Sequence, residues 1–281
     1  MIVITGMHRS GTTIIGEFLR RAPSVSVIHE PFNRTFGEER VEHDYPIRGG
    51  KDFLYVDDIL EDIKKRKNLR FKRAHPKDSL IKKILRPFVG GRSGIDYFSY
   101  RFFSVLGPRK IVLKDPFLSL SLKDKNNEKY VVVCRHPCAV WLSIKNMNWR
   151  SDPKKSSFID TENELDEIDR FSLTWNKIYS QNFDRDNILF VTHEELCSEP
   201  LTSLKKMADF CGISWSEKFD KFIDENMVGG VVEKTKGQLH NFKRDSKSLA
   251  KAWVDKVSVE DEKRIKDITG EVVERIYGQW K

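Results

Sequence analysis

The first residues of the chain, Ile2-Val3-Ile4-Thr5-Gly6-Met7-His8-Arg9-Ser10-Gly11-Thr12-Thr13, decide the fold. An apolar, β-branched run leads into Gly6, four residues separate Gly6 from Gly11, and two threonines follow. This order predicts a strand, a tight loop and the start of a helix. Glycines let such a loop wrap closely, so that backbone N–H groups and the helix dipole converge on one anionic group. The stretch therefore predicts a phosphate-binding loop; the alternative is an ordinary glycine-containing turn.

The loop differs from the one that binds nucleoside triphosphates in P-loop enzymes. That loop has the pattern G-x-x-x-x-G-K-[ST], in which the lysine reaches the β- and γ-phosphates. Here Thr12 occupies the lysine position, and Arg9 is the only cation of the loop. The sequence thus predicts a phosphate-like ligand that is held without the lysine and Mg²⁺ of a P-loop enzyme.

Further apolar runs predict four more strands, at Val25–Ile28, from Lys110, at Tyr130–Cys134 and at Asn187–Val191. Unbroken apolar runs are typical of strands buried in parallel sheets. We predict an α/β fold, a three-layer α/β/α arrangement around a five-stranded parallel sheet, like that of P-loop nucleotide kinases. No run of 18 apolar residues is present, so no membrane-spanning helix is predicted.

Polar residues follow two of the predicted strands. In open parallel sheets the chemistry collects beyond the carboxyl ends of the strands. His29 and Glu30 follow the second strand, and Lys114 ends the third. Glu30 is therefore a candidate catalytic residue, with a loop-capping acid as the alternative. His29 is the second candidate, because the unperturbed pKa of imidazole lies near neutral pH.

Two separate motifs resemble one family. Arg9-Ser10-Gly11-Thr12-Thr13 resembles the 5′-phosphosulfate loop of the sulfotransferases that use 3′-phosphoadenosine 5′-phosphosulfate (PAPS). After the fourth strand, Arg135 is followed eight residues later by Ser143, and Pro137 opens the helix between them. Members of the family hold the 3′-phosphate of the cofactor with an arginine and a serine at this spacing. An arginine suits the task because its planar fork of donors matches phosphate oxygens.

The resemblance implies transfer of a sulfuryl group from PAPS to a hydroxyl or amine, with PAP as product and no metal required. It implies these cofactor-binding residues: Arg9, Ser10, Gly11, Thr12, Thr13, Arg135, Ser143 and, in a loosely matching basic segment, Lys236. Arg9 would stabilise the leaving phosphate, a role that relatives commonly give to lysine. Lys114 would lie near the transferred group, and Glu30 would be the general base, as in carbohydrate-modifying relatives.

Two departures separate the chain from the phenol- and steroid-sulfating branch. That branch takes its base as a histidine after the third strand, whereas Lys114-Asp115-Pro116 contains none. Ile14 also replaces the tryptophan that stacks on adenine in that branch. We therefore expect similarity to the carbohydrate-type, bacterial members, with a carbohydrate or glycolipid as acceptor, in some cases already anionic.

Residues 33–107 lie outside the resemblance. We predict that they form a mostly helical insertion that shapes the acceptor site, within one sulfotransferase domain spanning residues 1–281. Within this region, the composition of Gly90–Gly94 predicts a loop.

The positive charge is concentrated in one stretch. Between Lys64 and Arg92 twelve Lys or Arg residues accompany one acid, Asp78, a local charge of +11 in a chain of net charge +8. An anionic glycan, acidic lipid headgroups at a membrane surface, or nucleic acid could each use such a patch, and so could solvent alone. We expect no nucleic acid.

The four cysteines are too few and too scattered for a disulfide framework, and they lack histidine partners at zinc-ligand spacing. The chain begins with a core strand in place of a charged and apolar leader. Both features predict a reduced, cytoplasmic protein.

Two other functions remain open from the sequence. One is a P-loop small-molecule kinase, which would need Mg²⁺. The other is a non-catalytic binder of anionic glycan or nucleic acid, whose affinity would fall steeply with salt.

Overall fold

A computed structural model describes residues 1–49, 53–72, 91–123, 127–147, 165–227, 251 and 253–280. Within these residues five parallel strands form one sheet in the order β2-β3-β1-β4-β5. The strands are β1 (Ile2–Thr5), β2 (Val25–His29), β3 (Lys110–Lys114), β4 (Lys129–Cys134) and β5 (Ile188–Thr192). The predicted five-stranded parallel sheet is confirmed.

Helices cover both faces of this sheet. They are α1 (Thr12–Leu19), α2 (Tyr55–Lys64), α3 (Gly91–Leu106), α4 (Pro137–Asn146), α5 (Glu167–Tyr179), α6 (His193–Ser198), α7 (Pro200–Cys211), α8 (Glu217–Asn226) and α9 (Val259–Tyr277). Along β4 the side chains alternate between two apolar cores, with Val132 in one and Val131 and Val133 in the other. The three-layer α/β/α architecture is therefore confirmed. Within the described residues, no helix combines the length and apolar character needed to cross a bilayer.

The loop prediction for Gly90–Gly94 is wrong from Gly91 onwards, because α3 begins at Gly91, and Gly90 lies outside the described residues. Ser93 and Gly94 are buried where α3 packs against β2, and their small size suits this close approach. Asp96 of α3 also accepts two hydrogen bonds from the guanidinium of Arg20, at 3.0 and 2.9 Å. These tertiary contacts outweigh the weak helix propensity of glycine.

A buried ion pair ties the segment after β2 to the start of β4. Arg48 donates to Glu128 at 2.7 Å, and both side chains are almost fully buried. Lys64 of α2 reaches the same carboxylate at 3.0 Å, and Tyr130 donates to it as well. Burial raises the pKa of Glu128, but the hydrogen bonds and charges of these partners outweigh it and bring the pKa to about 2.

We expect Glu128→Gln to destabilise the protein by about 3 kcal/mol at neutral pH, because it leaves the buried Arg48 without its full counter-charge. The glutamate pKa falls from 4.5 to about 2 on folding. Its stabilising contribution is therefore complete above pH 4.5 and is lost as the pH falls through 2. Urea unfolding followed by circular dichroism should show the gap between variant and wild type closing over that range.

The matched control is Glu61→Gln, which removes an exposed partner of Lys64 and Lys65. Exposed ion pairs contribute about 1 kcal/mol or less. Equal destabilisation by Glu128→Gln and Glu61→Gln would contradict the prediction that the buried carboxylate of Glu128 stabilises the protein more than an exposed one.

Candidate active site

The loop between β1 and α1 has three residues in the left-handed region, Gly6 at φ 134°, Arg9 at φ 71° and Gly11 at φ 104°. A Cβ atom on Gly6 would lie 2.1 Å from the carbonyl oxygen of Val133 in β4, so only glycine fits there. A Cβ on Gly11 would lie 2.8 Å from the ring of His193. The loop therefore folds directly over the carboxyl ends of β4 and β5.

Two tyrosines that the sequence analysis did not single out hold this loop. Tyr179 of α5 accepts a hydrogen bond from the amide of Met7 at 2.8 Å and donates to the carbonyl of Val133 at 2.7 Å. Tyr45, from the segment after β2, lies 2.5 Å from Nδ1 of His8 through its hydroxyl. No local sequence signal points to either tyrosine, because both contacts join residues far apart in the chain.

Ser10 braces the loop from inside. Its hydroxyl and its amide both donate to the carbonyl of Met7, the amide at 3.2 Å, and its side chain is fully buried. Helix α1 then begins at Thr12, with Gly11 as N-cap and no side-chain capping bond. The first-turn amides of such a helix and its dipole favour an anion at this end. Contacts from Ser10 to Thr13 to a phosphate stay a prediction.

The structure brings Arg9, Arg135 and Ser143 together, although the sequence separates them widely. Nε of Arg9 donates to Oγ of Ser143 at 2.9 Å, and Nη1 of Arg135 donates to the carbonyl of Arg9 at 3.2 Å. Burial lowers the pKa of both guanidinium groups, and Arg135 lowers that of Arg9 further. Both groups nevertheless keep their charge at neutral pH, because arginine stays protonated in proteins.

One nitrogen atom of Arg135 indicates which kind of ligand this cluster binds. Nε of Arg135 is buried and has no hydrogen-bond partner among the described residues. A buried donor of this kind is costly unless a ligand satisfies it. Together with the close-wrapped glycine loop, the unsatisfied guanidinium fits a phosphate-bearing cofactor. Within the described ranges no cluster of three His, Cys, Asp or Glu residues is suited to a metal ion.

Residues that follow β5 complete this side of the site. His193 packs against Gly11, and burial, followed by the charge of Arg135, lowers its pKa to about 3. Glu194 accepts hydrogen bonds from the amide of His136 at 3.2 Å and from the hydroxyl of Tyr277 at 3.0 Å. Neither residue was predicted to have a role, although their place at the carboxyl end of a strand was a usable signal.

On the other side of β1, Glu30 and Lys114 form a buried ion pair. Glu30 has a left-handed φ of 45°, and its amide donates to the carbonyl of Lys114 at 2.8 Å. The second carboxylate oxygen accepts from Nδ2 of Asn33 at 2.8 Å, and Nε2 of His29 lies 3.6 Å from the first. Three predicted catalytic residues, His29, Glu30 and Lys114, are thus in contact at this edge.

The pKa values define the charges of this group. Burial raises the pKa of Glu30. Electrostatic interactions with Lys114 and His29, together with hydrogen bonds from Lys114 and Asn33, lower it by more, so that the pKa of Glu30 is about 2. Burial also lowers the pKa of His29 to about 3. At neutral pH Glu30 is therefore ionised and His29 neutral.

Asp115 has a structural role. The two oxygens of its carboxyl group accept hydrogen bonds from the amide of Phe32 at 2.6 Å and from that of Phe117 at 3.0 Å, and the side chain is fully buried. Burial, followed by the negative charge of Glu30, raises its pKa to about 8. Asp115 thereby fixes the turn that carries Glu30.

Lys236 and the basic segment around it lie outside the described residues.

Comparisons with known proteins identify the family. Residues 107–277 match the sulfotransferase domain family. No curated protein sequence matches the chain. The fold resembles the sulfotransferase domain of the curacin biosynthetic pathway, with 16% identity, 97% of this chain and 96% of that one covered, and a TM-score of 0.49. It also resembles the sulfotransferase domain of the Synechococcus PCC 7002 olefin synthase, with 16% identity, coverages of 95% and 93%, and a TM-score of 0.47.

A third similar structure is mouse sulfotransferase SULT7A1 complexed with PAP, with 14% identity, coverages of 97% and 83%, and a TM-score of 0.45. These structural similarities are low, and the assignment rests on the sequence match, which spans more than half of the chain. On that match, the chain belongs to the family of PAPS-dependent sulfotransferases.

Proposed function

We propose that this protein transfers the sulfuryl group of PAPS to a hydroxyl or amine of a carbohydrate or glycolipid, with Arg9 as electrostatic clamp and Glu30 as general base. The observation that carries the proposal is the contact of Arg9 with Ser143 and Arg135. It joins the loop expected to hold the 5′-phosphate to the pair expected to hold the 3′-phosphate.

The donor side consists of fixed positive charge. PAPS supplies a sulfuryl group attached to a phosphate that leaves. The loop amides from Arg9 to Thr13 would hold the 5′-phosphate, and Arg135 with Ser143 would hold the 3′-phosphate. Arg9 would stabilise the negative charge that develops on the leaving oxygen, which requires only a preorganised cation. It cannot donate a proton at neutral pH.

The acceptor side requires one rearrangement. Glu30 is ionised and so can accept a proton, but a carboxylate with a pKa of about 2 is a weak base. Lys114 is the strongest of the influences that lower this pKa. A turn of the Lys114 ammonium towards the sulfonate oxygens would free one carboxylate oxygen for the acceptor hydroxyl and raise the pKa of Glu30. Lys114 would thus act on both sides of the transfer.

The acceptor assignment rests on the position of Glu30 and on the segment after β2. Tyr45 of that segment touches the loop at His8, and Asn33 holds Glu30, so the first part of the 33–107 segment borders the proposed acceptor edge. We keep them as an insertion that shapes this site within a single domain. The four cysteines are buried and are too scattered along the chain for a disulfide framework, which favours a reducing, cytoplasmic setting.

Titration calorimetry in EDTA tests the proposed donor. We expect PAP to bind and ATP to fail to bind, because Thr12 stands where a kinase loop has its phosphate-binding lysine. Arg135→Gln should weaken PAP about 10- to 100-fold, since it removes charge-assisted hydrogen bonds. Arg21→Gln, at an exposed position after α1, is the matched control.

Preference for ATP, or binding that appears only with Mg²⁺, would favour the kinase. Binding of neither nucleotide, together with salt-sensitive binding of an anionic glycan, would favour the non-catalytic binder.

For Arg9, we expect Arg9→Ala to lower turnover by about 10²–10³-fold, because one preorganised charge at the leaving oxygen is lost. Arg9→Lys should retain most of the activity, because a lysine supplies the same charge. Single-turnover measurements with saturating PAPS isolate the transfer step from binding. Near-normal turnover in Arg9→Ala would remove this residue from the mechanism.

For Glu30, we expect Glu30→Gln to lower turnover by about 10²–10⁴-fold with PAP affinity retained, because general-base catalysis is lost while the donor side is untouched. Glu39→Gln, which changes an exposed glutamate of the same segment, is the matched control. An unchanged rate in Glu30→Gln with a large loss in His29→Gln would move the base to His29.

A further inference from the structure

Helix α3 exposes a continuous apolar stripe to solvent. Phe98 and Phe102 are 70% and 57% exposed, and the other members are Ile95, Val105 and Leu106. These residues recur at the three- and four-residue spacing of one helix face. Monomeric soluble proteins seldom expose a contiguous patch of large apolar side chains, whereas single exposed ones are common. The stripe therefore marks a contact surface.

The apolar stripe is not the face of α3 that packs against the core. Ser93, Tyr97, Tyr100 and Ser104 occupy the opposite side of the helix and are buried. That side packs against β2, the edge strand of the sheet. The helix thus has its core contact already, and the second apolar face needs a partner of its own.

Cations border the stripe. On a helical projection Arg92 and Arg101 lie on its two flanks, with Arg92 paired to Glu17 and Arg101 bonded to Asn68. The guanidinium of Arg109 lies 5.4 Å from the ring centroid of Phe103, which adjoins the stripe. Arg66 donates to the carbonyl of Ser104 at 3.3 Å.

Glu17 offsets the charge of Arg92 in part, but the only acid of α3 does not offset the charge of the other flanking cations. Asp96 turns towards Arg20, at 2.9 Å, and its side chain is only 11% exposed. The chain entering the helix adds to the charge, because residues 73–90 carry five Lys or Arg and one acid in the sequence. They lie outside the described residues, and the face defined here does not include them.

We propose that this face of α3 docks on an anionic phospholipid surface, with the apolar stripe at the acyl boundary and the flanking cations among the headgroups. Apolar side chains bordered by Lys and Arg are the pattern of helices that lie in a membrane interface. A second copy of the chain fits less well, because a symmetric contact through α3 would bring the arginines of both copies together.

The docking surface is independent of the sulfuryl donor and adjoins the proposed acceptor edge. Helix α3 packs against β2, the strand that ends at His29, and so lies along the strand that carries this predicted catalytic residue. If the proposed function holds, docking would place an acceptor carried by a lipid beside Glu30. The membrane contact itself does not depend on that reaction.

Vesicle flotation with the full chain tests the proposal. We expect binding to vesicles of phosphatidylcholine mixed with phosphatidylserine, and little binding to phosphatidylcholine alone, because cations near the surface favour anionic lipid. The double variant Phe98→Ser/Phe102→Ser should weaken binding by about tenfold or more, because two apolar anchors are lost. Arg101→Gln should weaken it by about fivefold.

The matched control is Leu201→Ser/Val259→Ser, which removes two exposed apolar side chains of other helices and should bind as wild type does. PAP titration of every variant reports a folded donor site, and so separates a failed membrane contact from a failed donor assignment. Unchanged vesicle binding by Phe98→Ser/Phe102→Ser would overturn the proposal. Failure of the wild-type chain to bind vesicles would also overturn it. If the wild-type chain then formed a concentration-dependent dimer that Phe98→Ser/Phe102→Ser abolished, the face would be assigned to a second copy of the chain.

Discussion

The site depends on the contact between Gly6 and the carbonyl of Val133. The end of β1 passes so close to β4 that a Cβ atom at this position would overlap a backbone oxygen, at 2.1 Å. This approach turns the loop over the neighbouring strand and puts the carbonyl of Arg9 within reach of Arg135. Tyr179 then bridges the two elements, since its hydroxyl serves both the amide of Met7 and the carbonyl of Val133. The loop geometry is therefore a property of the sheet as much as of the loop sequence.

The strand order places different charged groups on the two sides of β1 at the carboxyl edge of the sheet. Because β1 is central, β4 carries Arg135 on one side of the loop and β3 carries Lys114 on the other. On the first side a buried arginine nitrogen has no partner among the described residues. On the second, both carboxylate oxygens of Glu30 are engaged by Lys114 and Asn33. One half thus offers an unsatisfied donor, whereas the other has its polar groups paired within the chain.

Local patterns in the sequence predicted the elements well, and tertiary contacts explain what they missed. Apolar runs located the strands, and Gly6 with Gly11 located the loop, because both signals lie within a few residues. The pairing of Glu30 with Lys114 could not be read in this way, since it depends on β2 and β3 being neighbours in the sheet. Tyr45 and Tyr179 were missed for the same reason. The loop predicted at Gly90–Gly94 was wrong from Gly91 onwards, because packing against β2 outweighs local propensity.

The segment after β2 is held at both ends of the sheet, which bears on its part in the site. At the carboxyl edge, Asp115 holds the amide of Phe32 and so fixes the turn carrying Glu30. At the opposite edge, Arg48 binds Glu128 beside the start of β4. Both anchors are buried, and breaking the Arg48–Glu128 ion pair by removing one partner is costly. In the proposed mechanism, the rearrangement beside Glu30 is one of side chains. Lys114 is the one whose movement changes the basicity of Glu30 most, because no other group lowers that pKa more.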